Sequence, residues 1–301
     1  MWSFLSGISI VCFSCSYGVA LALEISRLYF RLPVRLVVLF TFLGLGLLTQ
    51  AIYLGAGASR PEAAPFSTWH DWCLVAAWLL AAVYFVSELR RPATTQGVFF
   101  LPVVLTLIAA AYLLRDQPPF ARSQSLRAWG MVHGICLLLG TTAVAVGFAG
   151  GLMYLVQSHR LRNKIPPKEG LKLPSLEWLQ LFTERMLLLS SAMIGLGLLT
   201  GVIMNMVSHA NTEVNLPWTD PVVWSSGVLF GWLAAMTIFN SLYRPARQGR
   251  KVAYLVVASF LFLAIELGIV FFAPSKHAAS AGNQKAVDNG PSNVSQTREA
   301  P

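Results

Sequence analysis

The chain alternates long apolar runs with short charged or proline-rich breaks, and this pattern sets the fold before any single residue is considered. Eight runs stand out, near residues 3–26, 33–55, 69–88, 97–114, 128–158, 181–206, 221–243 and 252–273. A helix rises about 1.5 Å per residue, so roughly 20 consecutive apolar residues cross a hydrocarbon layer about 30 Å thick. The pattern therefore predicts an all-α, polytopic transmembrane bundle of about eight helices over residues 1–273. Residues 274–301 hold almost nothing large to bury and are expected to form a disordered, non-cytoplasmic tail. The first run is long, lacks a basic lead and is followed by arginines, so it reads as a retained helix rather than a cleaved signal.

Composition agrees with the pattern. Of 301 residues, 55% are hydrophobic and only 12% charged, about half the charge of a soluble domain. The formal charge of +9 suggests a nucleic-acid partner only until the basic residues are located. Fourteen lie in alternate connections: Arg27, Arg31, Arg35, Arg90, Arg91, Arg160, Arg162, Lys164, Lys168, Lys172, Arg244, Arg247, Arg250 and Lys251. The other connections hold four, Arg60, Arg115, Arg122 and Arg127. Such asymmetry marks the cytoplasmic side, giving an N-out, C-out expectation with membrane lipid as the surrounding partner and no nucleic acid. Segments 56–68, 115–127 and 207–220 then face the non-cytoplasmic side.

Candidate chemistry narrows to a few positions. Cys12 and Cys15 form a CxxC inside the first helix with no second pair or histidine nearby, and read as small buried side chains. Three histidines fall at outer helix ends: His133, with Trp129 one turn before it and Cys136 and Gly140 on the same face; His209, closing the sixth helix; and His277, beyond the eighth. Outer histidines converging on one ligand suit haem iron, which takes axial imidazoles. The segment NLPWTDPVVW, 215–224, joins helices six and seven on that side, with Asp220 placed to cap helix seven, Pro221 to open it, and Trp218 and Trp224 as a possible apolar platform for a porphyrin. Gly147 with Gly151 and Gly197 with Gly201 have the spacing of close helix contacts. Glu266 is an isolated carboxyl within the last helix, expected to face other helices. Glu24 and Glu88 sit near cytoplasmic ends, where water, Arg27, Arg90 and Arg91 are expected to pair them.

Residues 129–164, WGMVHGICLLLGTTAVAVGFAGGLMYLVQSHRLRNK, resemble the characteristic stretch of the cytochrome c assembly family of the CcmC, CcsA and HemX type. There a WxxxH pair opens a helix that ends in GxxYL and a basic loop. The stretch KLPSLEWLQ, 172–180, is similar to the HemX-like branch, and the resemblance runs from about Trp69 to His277. It implies a protein of a bacterial-type cytoplasmic membrane that binds haem b at its outer face. His133 and His277 are the implied iron ligands, with His209 as an alternative. Trp129 is the tryptophan of the WxxxH pair, Asp220 and Pro221 match the central Asp-Pro of the family's tryptophan-rich WxWDPxE loop, and Trp218 and Trp224 approximate its tryptophans. Implied partners are apocytochrome c and other assembly membrane proteins of the ResB/CcsB-like type, with no bond-making chemistry required of this chain beyond a share in a haem-lyase complex. Thr219, Val222 and Val223 depart from the loop motif. Asn240 stands where the family carries a further histidine. The alternative reading is a HemX-like scaffold or regulator of tetrapyrrole synthesis, acting through the 159–172 loop without stable haem.

Overall fold

The computed structural model describes residues 10–29, 34–59, 68–92, 94–116, 127–164, 171–210, 221–242 and 249–272. Among these the regular structure is all α-helix, as the apolar pattern predicts. The elements are α1 (Ile10–Ser26), α2 (Arg35–Ala58), α3 (Trp69–Arg90), α4 (Gly97–Leu113), α5 (Arg127–Arg162), α6 (Leu176–Ala210), α7 (Pro221–Leu242) and α8 (Gly249–Phe272). Six of them, α2, α3 and α5 to α8, are long and apolar enough to cross a membrane, while α1 and α4 are 17-residue apolar helices. The protein is thus a multi-pass membrane helical bundle.

The helices pack as two groups of four. In the first, α1 touches α2 and α4, α2 touches α3, and α3 touches α4; in the second, α5 touches α6 and α8, while α6, α7 and α8 touch one another. The groups meet where α3 and α4 lie against α5. Of the apolar window of α5, 56% is buried, against 11% for α7, so α5 is the central wall and α7 an edge. Side chains of α5 such as Val146, Ala149 and Met153 complete the core built by Tyr17, Leu43, Leu80 and Phe100 of the first group.

Glycines let backbones meet along that wall, where a Cβ would collide with a neighbour. One at Gly140 would lie 2.5 Å from Ile194 of α6, and one at Gly151 would lie 3.3 Å from the Ala253 carbonyl of α8. The Gly147/Gly151 and Gly197/Gly201 pairs are indeed contact points, facing α8 and α5 respectively. Within the first group, Gln50 of α2 is fully buried and ties three helices, accepting from the Tyr17 hydroxyl at 2.8 Å and donating to the Leu74 carbonyl at 3.0 Å.

On either side of the connection between α5 and α6, the helix bounds run past the apolar pattern for one reason. The expected ends at residues 158 and 181 mark where polar residues begin, but α5 continues to Arg162 and α6 starts at Leu176. A helix does not stop where its surroundings turn polar. Ser175 opens α6, its Oγ accepting from Trp178 N at 3.4 Å and its carbonyl from Leu179 N at 3.0 Å, satisfying amides that a bare start would leave orphaned. At this basic end the two groups are also latched. Thr95 donates to the Lys172 carbonyl through its amide at 2.8 Å and its hydroxyl at 3.1 Å, and Arg91 lies 4.4 Å above the Trp178 ring. Cys12 and Cys15 are exposed on α1 rather than buried, because they lie on the side of α1 turned away from Phe13 and Tyr17, which fill the core.

Candidate functional site

His133 lies in the second turn of α5, and its half-buried ring packs against α6. Nδ1 is 2.7 Å from the Gly197 carbonyl oxygen. A carbonyl only accepts, so Nδ1 carries the proton, and in the neutral ring Nε2 holds the lone pair. A metal-bound imidazole is commonly oriented in this way by an acceptor on its other nitrogen. Gly201, one turn along α6, makes the approach possible, since a Cβ there would stand 3.0 Å from His133 Cε1. On the neighbouring face of α5, Gly134 lies under Trp72 of α3, which a Cβ would meet at 2.7 Å.

Of the other positions singled out from sequence, Trp129 and Trp224 are large exposed side chains at the starts of α5 and α7, at 42% and 66% exposure. Pro221 is the first residue of α7, as expected. His209 belongs to the last turn of α6, but its side chain lies outside the described residues. Trp218, Asp220 and His277 lie outside them entirely, as does the 274–301 tail. The structure therefore places Trp129 and His133 together on one helix and Trp224 exposed at the start of another. Among the described residues no group of three or more His, Cys, Asp or Glu is arranged to hold a metal ion.

A fourth histidine at this end was not singled out from sequence. His70 opens α3, behind Thr68, whose Oγ1 accepts from the Asp71 amide at 3.2 Å. Its Nδ1 is 2.9 Å from the Ala111 carbonyl and its Nε2 3.4 Å from the Tyr53 hydroxyl. Both ring nitrogens are thus engaged, and His70 fastens α3 to α2 and α4. Its position at the start of an apolar run, like that of His133, was the available signal.

The carboxyls of the bundle fall out differently from one another. Glu266 faces α7 and accepts from Ser226 Oγ at 2.5 Å, which meets the expectation of a hydrogen-bonded group between helices. Glu24 and Glu88 are not at a watered surface: they are 1% and 0% exposed. Arg27 reaches both, whereas Arg90 is exposed and Arg91 is stacked on Trp178. Asn240 is half buried, with its Oδ1 enclosed and without a hydrogen-bond partner.

Comparison of the chain with protein-family models, with curated proteins and with solved structures found no match.

Proposed function

We propose that this membrane protein handles haem at the end of the bundle opposite its basic connections, in the assembly of c-type cytochromes. The reading rests on one observation, the fixing of the His133 tautomer by the Gly197 carbonyl, together with the resemblance of residues 129–164 to the cytochrome c assembly family. In this reading His133 and His277 are the axial ligands of a haem b, with His209 the alternative to either. Trp129 and the 218–224 segment shield the porphyrin face. The chain holds and orients the haem and controls access to its iron, and a partner of the ResB/CcsB type completes attachment to apocytochrome c. The basic end then faces the cytoplasm.

The test is the visible absorption spectrum and pyridine haemochrome of the protein purified in mild detergent. Wild type is compared with His133→Ala, His277→Ala and His209→Ala. A near-stoichiometric Soret band lost in the His133 and His277 variants and kept in the His209 variant is the expected result. A haem-free wild type, even after expression with added haem precursor, would sink the proposal and favour the scaffold or regulator reading. That second reading draws on a specific feature, the anchoring of both flanks of the basic loop by Arg160 Nη1 on the Leu171 carbonyl at 3.0 Å and by Thr95 on Lys172.

A further inference from the structure

The opposite, basic end of the first helix group contains a buried charge cluster that the haem reading does not use. It draws on three helices and the turn before α4: Glu24 and Arg27 from α1 and its end, Arg35 from the start of α2, and Tyr84 and Glu88 from α3. Arg27 Nη1 stands 3.6 Å from Glu24 Oε1 and 3.5 Å from Glu88 Oε1. Those distances exceed the roughly 2.7–2.9 Å of a charge-assisted bond. The short bonds of Arg27 go instead to backbone, to the Thr94 carbonyl at 2.9 Å and the Pro92 carbonyl at 3.2 Å. Arg27 is therefore held in place by the α3–α4 turn and lends its charge to two carboxyls without closing a fork on either.

The remaining partners leave the cluster incomplete. Tyr84 donates to Glu24 Oε1 at 3.2 Å. Arg35 is 8% exposed, and its Nη2 is 3.4 Å from the Ser26 carbonyl. Three enclosed atoms have no hydrogen-bond partner among the described residues: Glu24 Oε2, Glu88 Oε2 and Arg35 Nε. Gly97, the first residue of α4, closes the cluster from the fourth side, so tightly that a Cβ there would collide with the Tyr84 hydroxyl and Glu24 Cγ. Two like-charged carboxyls out of water with an unfilled oxygen each are unfavourable, and a proton on one of them removes a charge and turns an acceptor into a donor.

We propose that Glu24 and Glu88 form a carboxyl pair that binds one exchangeable proton, with Arg27 between the pair and the adjoining aqueous phase. The proton passes from hydronium to a carboxylate oxygen, leaving water, and returns by the reverse step. Water reaches the pair from the Arg27 side, because that side chain is 19% exposed while those of the two carboxyls are 1% and 0% exposed. Among the described residues, the charged and titratable groups facing the pair are Arg27, Arg35 and Tyr84. The proposal is independent of haem, since His133 lies at the other end of the molecule.

The experiment is infrared difference spectroscopy of the full chain in detergent, stepped across neutral pH, following the carbonyl stretch of protonated carboxyls. A titrating band is expected in wild type and in Glu266→Gln, and its loss or displacement in both Glu24→Gln and Glu88→Gln. No titrating band in wild type, or an unmoved band in either of the last two variants, would overturn the proposal and leave a fixed ion-pair cluster. If a Gln variant does not purify with native helix content, wild type is treated with dicyclohexylcarbodiimide, which adds to protonated carboxyls in apolar surroundings. Label mapped to Glu24 or Glu88 then supports the pair, and label confined to Glu266 or absent overturns it.

Discussion

The carbonyl oxygen of Gly197 receives Nδ1 of His133 at 2.7 Å across the α5–α6 contact and, from within its own helix, the hydroxyl of Thr200 at 2.8 Å. Removing the imidazole therefore does not strand the carbonyl. His133→Ala is expected to lower unfolding stability by only about 1 kcal/mol, the net worth of a single hydrogen bond. Chemical unfolding in micelles measures this beside the haem spectrum. A collapse of the fold would show that the ring is chiefly a structural wedge, and haem loss in that variant would then carry no weight.

Gln50 predicts a larger effect, because it satisfies partners on two other helices at once. Gln50→Leu leaves the Tyr17 hydroxyl unpaired and takes from the Leu74 carbonyl, which keeps its bond within α3, a second partner, and should destabilise by about 1–3 kcal/mol, one buried orphan group. Adding Tyr17→Phe removes one orphan and should restore part of the loss. A double-mutant cycle on the two positions reads the coupling directly, and additivity would refute the link.

How much of this was legible beforehand differs between fold and site. The eight helices follow from apolar runs, because the requirement that a chain in lipid satisfy its own backbone leaves little else to choose. Ends were less legible: α6 begins at a serine cap in a polar stretch, which hydropathy alone does not register. Glu24 and Glu88 lie deeper than their sequence positions imply for a related reason. Both are a few residues from helix ends, where water is expected, and it is the packing of Gly97 and the α3–α4 turn over them that shuts water out. His133 was legible as a histidine near a helix start. Its orientation was not, since that depends on which carbonyl of α6 comes opposite.

Glycines give a paired prediction. Gly97→Ala forces a Cβ into the Tyr84 hydroxyl and Glu24 side chain, whereas the would-be Cβ of Gly227 meets nothing within 4 Å among the described residues. Gly97→Ala should cost about 1–3 kcal/mol as overpacking. Gly227→Ala should be neutral or stabilise by up to about 1 kcal/mol through helix propensity. Thermal unfolding of the two variants in one detergent distinguishes them, and equal shifts would contradict the packing described.

Orientation across the membrane is the last point open to direct test, and the exposed residues beyond helix ends supply its probes. Asp116 lies past the end of α4 with its side chain 86% exposed, and Lys164 lies past the end of α5, also exposed. In a cysteine-free background, where Cys12, Cys15, Cys73 and Cys136 are replaced, Asp116→Cys and Lys164→Cys report opposite ends of the bundle. Charge asymmetry predicts that a membrane-impermeant maleimide applied to intact cells labels Asp116→Cys and spares Lys164→Cys until the membrane is opened. The reverse pattern would put the basic end outside and His133 in the cytoplasm. It would remove outer-face haem delivery as a function while leaving the Glu24–Glu88 pair intact, now drawing its proton from the external phase.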